Sequence, residues 1–285
     1  MPLGFNPVAA MIDRPRLTHR EPRWFEVPDA ALLLHAARVV SPPPNSPAAC
    51  PAGFARALLA TFLYTGGRRG EVLGLEVEDV SFDRQTITFR ENAWRGLKTP
   101  TSARPVPLWP ELEAILRAYV FGTDRPPSRL LFPSYRTGRE AMLRDERKIL
   151  DRIAMRAGYP KGELRTRRLR HTYCAARLQT LDQGAPVSIY TVAHELGHAS
   201  LDMVERVYAH LGAVRHRSDV VEYCVAQHLP RLRDRLTKLG LGLPRSCESR
   251  GGGVTLWARR DSNPRPLAPE PGREEKPPRA DEENQ

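Results

Sequence analysis

The chain has 285 residues, a net charge of +11 at neutral pH and a hydrophobic fraction of 41%. The length suits one large domain or two small ones, and the charge favours a polyanionic partner, either nucleic acid or an anionic membrane. No apolar run approaches the length of a membrane span and no signal peptide opens the chain. We therefore expect a cytoplasmic, nucleoid-associated protein that binds nucleic acid and no membrane.

Both ends of the chain differ in composition from its middle. Four prolines with scattered charges in residues 1–24 predict an extended lead-in. Residues 245–285 hold eight basic and eight acidic residues, so the whole positive excess lies in residues 1–244. Three consecutive glycines and six prolines follow Pro244, and such a tail cannot bury enough apolar surface to fold alone. We predict a folded domain over 25–243 and a disordered tail over 244–285.

The pattern of apolar residues between these ends predicts a mostly helical domain of the α+β class. Helical spacing follows the start signal Pro28-Asp29, and a second helix stops at Thr65-Gly66-Gly67. Period-two alternation predicts a small three-stranded antiparallel sheet. The predicted strands are 80–82, 86–89 and 104–108. The helices predicted beyond the second are 69–75, 112–119, 138–157, 168–181, 187–196, 200–209 and 213–239.

The cysteines give no sign of a metal site. All four lie far apart, without metal-ligand spacing, and we expect free thiols in a reducing compartment. They are Cys50, Cys174, Cys224 and Cys247.

Two arginines have the chemistry to hold a phosphodiester. Guanidinium groups match phosphate oxygens and stay charged at physiological pH. Arg68 follows two glycines at a helix end, where the backbone can approach a substrate closely, and Arg170 lies in a second arginine-rich stretch. Glu71 is three residues beyond Arg68 and could orient an arginine. The competing interpretation is that these are surface arginines of a chain with 39 of them.

Three further residues could complete a phosphoryl-transfer site. Lys98 lies between the second and third predicted strands, where it could protonate a departing 5′ oxygen as a general acid; otherwise it is a solvated loop lysine. His198 could donate a hydrogen bond to the phosphate and stabilise charge in the transition state. His171 directly follows Arg170 and is expected to be a supporting residue.

Tyr208 is the candidate nucleophile. A tyrosine can form a covalent intermediate when positioned cations activate its phenol. The chain has seven other tyrosines, so Tyr208 in isolation would be read as an ordinary core or surface residue. Its place ten residues after His198, on a short predicted helix, favours the catalytic interpretation.

A zinc-protease motif competes for the same histidine. Residues 194–198 read His-Glu-Leu-Gly-His, which matches HExxH, with His194 and His198 as zinc ligands and Glu195 as general base. The extended form of the motif would need a glycine and a third histidine at positions that Leu201 and Val204 occupy. Since the charge of +11 has no role in a protease, we keep this interpretation as a remote alternative.

Taken in order, these stretches resemble the catalytic domain of the tyrosine recombinase, or phage integrase, family. The resemblance covers about residues 25–240. Its first box, Thr-Gly-x-Arg-x-x-Glu, matches Thr65 to Glu71, and its hairpin lysine matches Lys98. The remaining boxes match Ser102, Arg104 and Val106-Pro107-Leu108; Leu169 to Thr172; Leu196 to His198; and Tyr208-Ala209-His210.

The resemblance implies a tyrosine-recombinase, DNA breaking-rejoining catalytic domain. It implies a site-specific DNA recombinase that cleaves strands to a 3′-phosphotyrosine at Tyr208 and rejoins them without a metal or nucleotide cofactor. The implied partner is double-stranded DNA, bound by a homotetramer on two sites with accessory DNA-bending or directionality proteins. Arg68, Lys98, Arg167, Arg170 and His198 are the other expected catalytic residues. The expected DNA contacts are Arg69, Arg104 and Arg168.

Two departures from the family pattern affect these expectations. Arg167 stands where the family usually has histidine or lysine, and because arginine cannot exchange its proton, we expect it to bind only. The family normally carries an N-terminal helical DNA-clamp domain, and the 24 residues before the catalytic domain are expected not to supply one.

The tail suggests an integration site. Asp261-Ser262-Asn263-Pro264 is what GATTCGAACCC encodes, which is the reverse complement of a typical tRNA T-arm. We expect a mobile-element integrase that recombines at a tRNA gene. The alternative function is a truncated DNA-binding remnant without catalysis, which would bind DNA in a salt-dependent way but form no covalent adduct.

Overall fold

We describe a computed structural model of the chain over residues 23–40, 53–97, 102–122, 128–134, 140–182, 185–198, 200–201, 204–205 and 228–243. Its helices are α1 (Val27–Ala36), α2 (Phe54–Thr65), α3 (Arg69–Leu73), α4 (Pro110–Val120), α5 (Arg147–Arg156), α6 (Thr166–Arg177), α7 (Ile189–Leu196) and α8 (Leu229–Lys238). Its strands are β1 (Val80–Ser81), β2 (Thr86–Phe89), β3 (Arg104–Pro107), β4 (Leu181–Asp182) and β5 (Ala185–Pro186).

Helix α2 forms the centre of the main core. Eleven of its twelve residues are buried, as expected of a helix that is apolar on nearly every face. It packs against α4 and α6, and more lightly against α1 and α5. Its last residue is followed by Gly66, whose φ of 59° ends the helix in the left-handed conformation.

The three-stranded sheet is antiparallel, with the order β1-β2-β3. Ile87 of β2 pairs with Val80 on one side and with Val106 on the other. Burial alternates along β3, so that Arg104 and Val106 face the interior while Pro105 faces solvent. This arrangement confirms the predicted mostly helical α+β fold with a small antiparallel sheet.

Several predicted helix boundaries differ from those of the structure. The helix predicted over 138–157 begins only at Arg147, because the segment before it pairs with 128–134 through a bridge between Met142 and Pro133. The helix predicted over 168–181 starts at Thr166 and ends at Arg177, and a two-stranded hairpin of β4 and β5 follows it. The helix predicted over 187–196 begins at Ile189 because Ser188 caps it through its side-chain oxygen.

Some predictions fall outside the described residues. They include most of the helix predicted over 200–209 and the first part of that predicted over 213–239. They also include the tail and the lead-in, except for the last two residues of the lead-in at 23–24. In the described part of the chain, no helix has both the length and the apolar character needed to cross a membrane.

Candidate functional site

Arg68 lies at the junction of α2 and α3. It is the N-cap residue of α3, and the carboxylate of Glu71 accepts its backbone N–H at 2.8 Å, so that the first turn of α3 is closed from within. The guanidinium donates from Nη1 to Glu71 (2.8 Å) and to the hydroxyl of Ser102 (3.0 Å). Its Nη2 donates to the carbonyl of Gly197 at 3.0 Å. The side chain stays 29% exposed, so it is both anchored and accessible.

Glu71 joins two arginines from different elements. Its Oε2, which accepts the backbone N–H of Arg68, also accepts a hydrogen bond from Arg104 of β3 at 2.9 Å, and Glu71 itself is only 5% exposed. Burial alone would raise the pKa of Glu71, but the hydrogen bond and charge of Arg104, together with the N–H groups of Arg68, lower it to about 2. Glu71 is therefore a carboxylate at neutral pH and holds both guanidiniums.

Arg170 approaches the same place from α6. It donates from Nη1 to the carbonyl of Gly66 (2.7 Å) and from Nη2 to the carbonyl of Leu196 (2.6 Å). Burial, followed by the charges of Arg68 and Arg104, lowers the pKa of Arg170 to about 10. The group remains a cation at neutral pH, and its lowered pKa reflects first its burial and then the positive charges packed beside it.

His198 stands beside the guanidinium of Arg170. Its Nε2 lies 2.9 Å from Nη2 of Arg170. A guanidinium can only donate, so Nε2 accepts and the ring proton of neutral His198 is on Nδ1. Nδ1 is buried without a hydrogen-bond partner among the described residues. Burial and then the charge of Arg170 lower the pKa of His198 to about 4, so the ring is a neutral donor at pH 7.

The cluster is suited to bind an anion. A guanidinium has five N–H groups, and Arg68 and Arg170 each use three of them in the contacts above. Two N–H groups on each have no acceptor within the described part of the chain. Arg68, Arg104 and Arg170 together carry three positive charges against the one negative charge of Glu71. This surplus and the unused donors are the features that stabilise a phosphate oxyanion.

Comparison with known proteins identifies the family. The model of the phage integrase family matches residues 37–214, a segment that contains all six predicted catalytic residues. The chain belongs to the phage integrase family.

Individual relatives agree with this membership. Tyrosine recombinase XerA of Pyrococcus furiosus is 30% identical over 167 residues, which are 58% of this chain and 53% of that protein. The chain therefore aligns with about half the length of this relative. The crystal structure of XerA recombinase has a TM-score of 0.51 at 20% identity, covering 82% of this chain and 68% of that one.

A structure with bound DNA gives a comparable fold match. XerH site-specific recombinase, solved with its palindromic difH substrate after cleavage, has a TM-score of 0.52 at 21% identity, covering 68% of this chain and 51% of that one. At such identities these likenesses show the fold. They confirm the predicted tyrosine-recombinase catalytic domain for this member of the phage integrase family.

The predicted catalytic residues divide into three groups. The structure brings together Arg68, Arg170 and His198, which the sequence places far apart. Arg167 is exposed one turn before Arg170 on α6. Lys98 and Tyr208 lie outside the described residues. Of the two supporting candidates, Glu71 joins Arg68 to Arg104, as described above.

His171, the other supporting candidate, is partly buried beside Arg170. Burial, followed by the charges of Arg167 and Arg170, lowers its pKa to about 4. It is therefore a neutral residue at pH 7, like His198.

The three predicted DNA contacts have different environments. The side chain of Arg104 is 1% exposed and stacks over the Phe89 ring at 4.6 Å, so it supports Glu71 from the interior instead of facing DNA. Arg168 is paired with Glu163 and is 17% exposed. Arg69 is bound by Glu146 at 2.7 Å but remains 49% exposed. The inward position of Arg104 corrects the prediction that it contacts DNA. The signal that could have revealed this position is the two-residue spacing of Arg104 from Val106, which places both on the buried face of β3.

The zinc-protease alternative does not fit the structure. Helix α7 ends at Leu196, and Gly197 has a φ of 67°, so His198 has left the helix and does not continue the face of His194. Glu195 is bound by Tyr173 at 2.7 Å and by Arg177 at 3.0 Å. Among the described residues, no group of three or more metal-ligating side chains could hold a metal ion.

Sequence reasoning missed the groups that hold the arginines. They are three backbone carbonyls, at Gly66, Leu196 and Gly197, and none can be recognised from residue type. Gly66 and Gly197 both have positive φ. The available signal was that a glycine lies close to each predicted site residue, Gly66 to Arg68 and Gly197 to His198.

Proposed function

We propose that the chain breaks and rejoins DNA at specific sites by the tyrosine-recombinase reaction. The observation that supports it is the convergence of Arg68 and Arg170 with unused N–H donors beside the neutral donor His198. Donors fixed in place before the substrate arrives need little reorganisation when charge develops on a phosphate. The expected substrate is double-stranded DNA, whose phosphates suit the positive charge of the chain.

In the proposed reaction the phenolic oxygen of Tyr208 attacks the scissile phosphorus. A bond from that oxygen to phosphorus forms as the phenol gives its own proton to solvent, the bond from phosphorus to the 5′ oxygen breaks, and Lys98 gives its proton to the departing oxygen. Arg68 and Arg170 bind the non-bridging oxygens. Because the phosphotyrosine keeps the energy of the broken bond, attack by a 5′-hydroxyl reverses the step and rejoins the strand without a nucleotide.

His198 acts in this scheme as a hydrogen-bond donor. With a pKa of about 4 it is unprotonated at pH 7, so it has no additional proton to give a leaving group. Its Nδ1–H is buried without an acceptor among the described residues, and in this scheme a phosphate oxygen becomes its acceptor once DNA is bound. Arg167 adds positive charge near the same face and binds without proton transfer.

A covalent-adduct assay tests the proposal. The purified protein is mixed with nicked half-sites drawn from the flanks of its gene, and the products are separated on a denaturing gel. We expect a shifted band that is lost in Tyr208→Phe and kept in Tyr190→Phe, a matched change at a tyrosine that is 65% exposed on α7. DNA binding without a band for the unchanged protein would instead support the truncated, inactive DNA-binding remnant.

The finer proposal is that the DNA site lies in a tRNA gene. The support is the tail sequence Asp261 to Pro264, whose codons would overlap the attachment site. Reading the gene tests this: codons that depart from GATTCGAACC would refute it. We further propose a homotetramer on two such sites with accessory DNA-bending or directionality proteins, which sedimentation of the protein with the identified site would test.

A further inference from the structure

The last turn of α7 presents a row of backbone carbonyls to the arginines of the site. Three consecutive carbonyls each accept a hydrogen bond from a different guanidinium. The pairs are Glu195 with Nε of Arg104 (2.6 Å), Leu196 with Nη2 of Arg170 (2.6 Å) and Gly197 with Nη2 of Arg68 (3.0 Å). Carbonyls at a helix C-terminus lack helical partners and carry partial negative charge. The orientation of all three guanidiniums therefore depends on where this turn lies.

The side chain of Glu195 fixes that turn to α6. Its carboxylate is 5% exposed and accepts hydrogen bonds from the hydroxyl of Tyr173 (2.7 Å) and from Nε (3.1 Å) and Nη2 (3.0 Å) of Arg177. Arg177 is 2% exposed and also donates to the hydroxyl of Thr180 at 2.8 Å. Glu195 thus connects α6 to the arginine cluster, because α6 binds its side-chain carboxylate and Arg104 binds its backbone carbonyl.

Stability alone does not explain the buried ion pair of Glu195 and Arg177. A buried pair loses hydration, and packed apolar residues of similar size often serve stability equally well. A carboxylate near a helix C-terminus also opposes the helix dipole. What the charged pair adds over apolar packing is direction, because a carboxylate held by three N–H and O–H donors has few alternative positions.

We propose that Glu195 is a positioning residue for the arginines of the active site. Through the fixed last turn of α7 it sets the direction of Arg104 directly and, through the next two carbonyls, that of Arg170 and Arg68. The effect on catalysis rests on the proposed function, whereas the effect on the arginines does not. Glu195 lies outside the family boxes matched above, so its role follows from this structure.

The test compares two substitutions at carboxylates of similar burial. Glu195→Gln keeps the size of the side chain but removes its charge and turns an N–H group toward the donors of Arg177. Asp151→Asn is the control. Asp151 is 6% exposed and accepts a hydrogen bond from Arg165 at 2.7 Å, and this pair does not involve α7. The first readout is the ¹⁵N NMR signal of the Nε–H of Arg104, assigned with Arg104→Lys. We expect it to shift or broaden in Glu195→Gln and to stay unchanged in Asp151→Asn.

The second readout separates the chemical step from binding. At saturating DNA we expect Glu195→Gln to slow covalent adduct formation by about 10- to 100-fold, since small misplacements of catalytic groups have effects of this size, and to leave the Kd for DNA within about twofold. If Glu195→Gln does not fold, Tyr173→Phe removes one hydrogen bond from the same carboxylate and should change both readouts in the same direction by less.

Two results would overturn the inference. One is an unchanged Arg104 signal in the folded Glu195→Gln protein, or in Tyr173→Phe if that variant replaces it. The other is an unchanged rate of adduct formation at saturating DNA. If the unchanged protein forms no adduct on any DNA, the proposed function fails while the NMR readout still decides the positioning role.

Discussion

Replacing Glu71 by glutamine tests the central ion pair of the site. The substitution keeps the length of the side chain but removes the charge that receives Arg68 at 2.8 Å and Arg104 at 2.9 Å. An amide also has one acceptor oxygen in place of two and turns an N–H group toward donors. We therefore expect Glu71→Gln to lower the free energy of unfolding, because it leaves the buried guanidinium of Arg104 and the partly exposed one of Arg68 without this counter-charge.

The magnitude follows from the pKa of Glu71. Hydrogen bonds and charge lower it from 4.5 to about 2 in the folded chain, against the opposing effect of burial. A shift of this size contributes about 3 kcal/mol to stability at pH 7. Because the folded-state pKa is the lower one, the contribution is complete above about pH 4.5 and is lost as the pH falls toward 2. At pH 3.5 about 2 kcal/mol should remain.

Urea unfolding of the wild-type and Glu71→Gln proteins at pH 7 and pH 3.5 measures this difference. Glu113→Gln is the control, since Glu113 forms an i,i+4 pair with the half-exposed Arg117 and is expected to change stability by under about 1 kcal/mol at either pH. A loss in Glu71→Gln no larger than in the control would refute the reasoning. A loss that is the same at both pH values would also refute it.

Three further predictions concern the surroundings of the site. Gly66→Ala should lower the free energy of unfolding by about 1–3 kcal/mol. Gly66 has a φ of 59°, and an added Cβ would lie 2.6 Å from an aromatic ring carbon. Gly70→Ala is the comparison in the same urea assay: a Cβ there meets open space, so the free energy of unfolding should rise by up to about 1 kcal/mol. Arg170→Leu should raise the pKa of His198 from about 4, since burial and then the charge of Arg170 lower it; NMR titration of the ring measures the change. The free energy of unfolding should fall as the pH is lowered from about 6.5 to about 4, because the unfolded chain takes up protons there that the folded His171 and His198 reject; urea unfolding over a pH series measures this.

Each of these expectations has a result that contradicts it. Equal stability of the two glycine variants would mean that the junction after α2 accepts a side chain. An unchanged pKa in Arg170→Leu would mean that the charge of Arg170 does not contribute to the low pKa of His198. Stability that stays level between pH 6.5 and pH 4 would mean that neither histidine is held neutral by its surroundings.

The order of the motifs and the local structure around them could be predicted from the sequence. Thr65-Gly66-Gly67 correctly marks the end of α2, since only the left-handed conformation of Gly66 closes that helix without strain. The alternation around Ile87 correctly predicts a strand. These features depend on residues within a few positions of one another, and short-range backbone preferences are what the sequence displays directly.

Only the tertiary structure decided which groups hold the arginines and in what state. The carbonyls of Glu195, Leu196 and Gly197 meet guanidiniums from three distant parts of the chain, and a carbonyl is the same in every residue. The neutral state of His198 likewise results from burial beside Arg170, 28 positions away. Residue types therefore predicted a phosphate-binding site, whereas the positions and protonation of its groups came from long-range packing that no local pattern records.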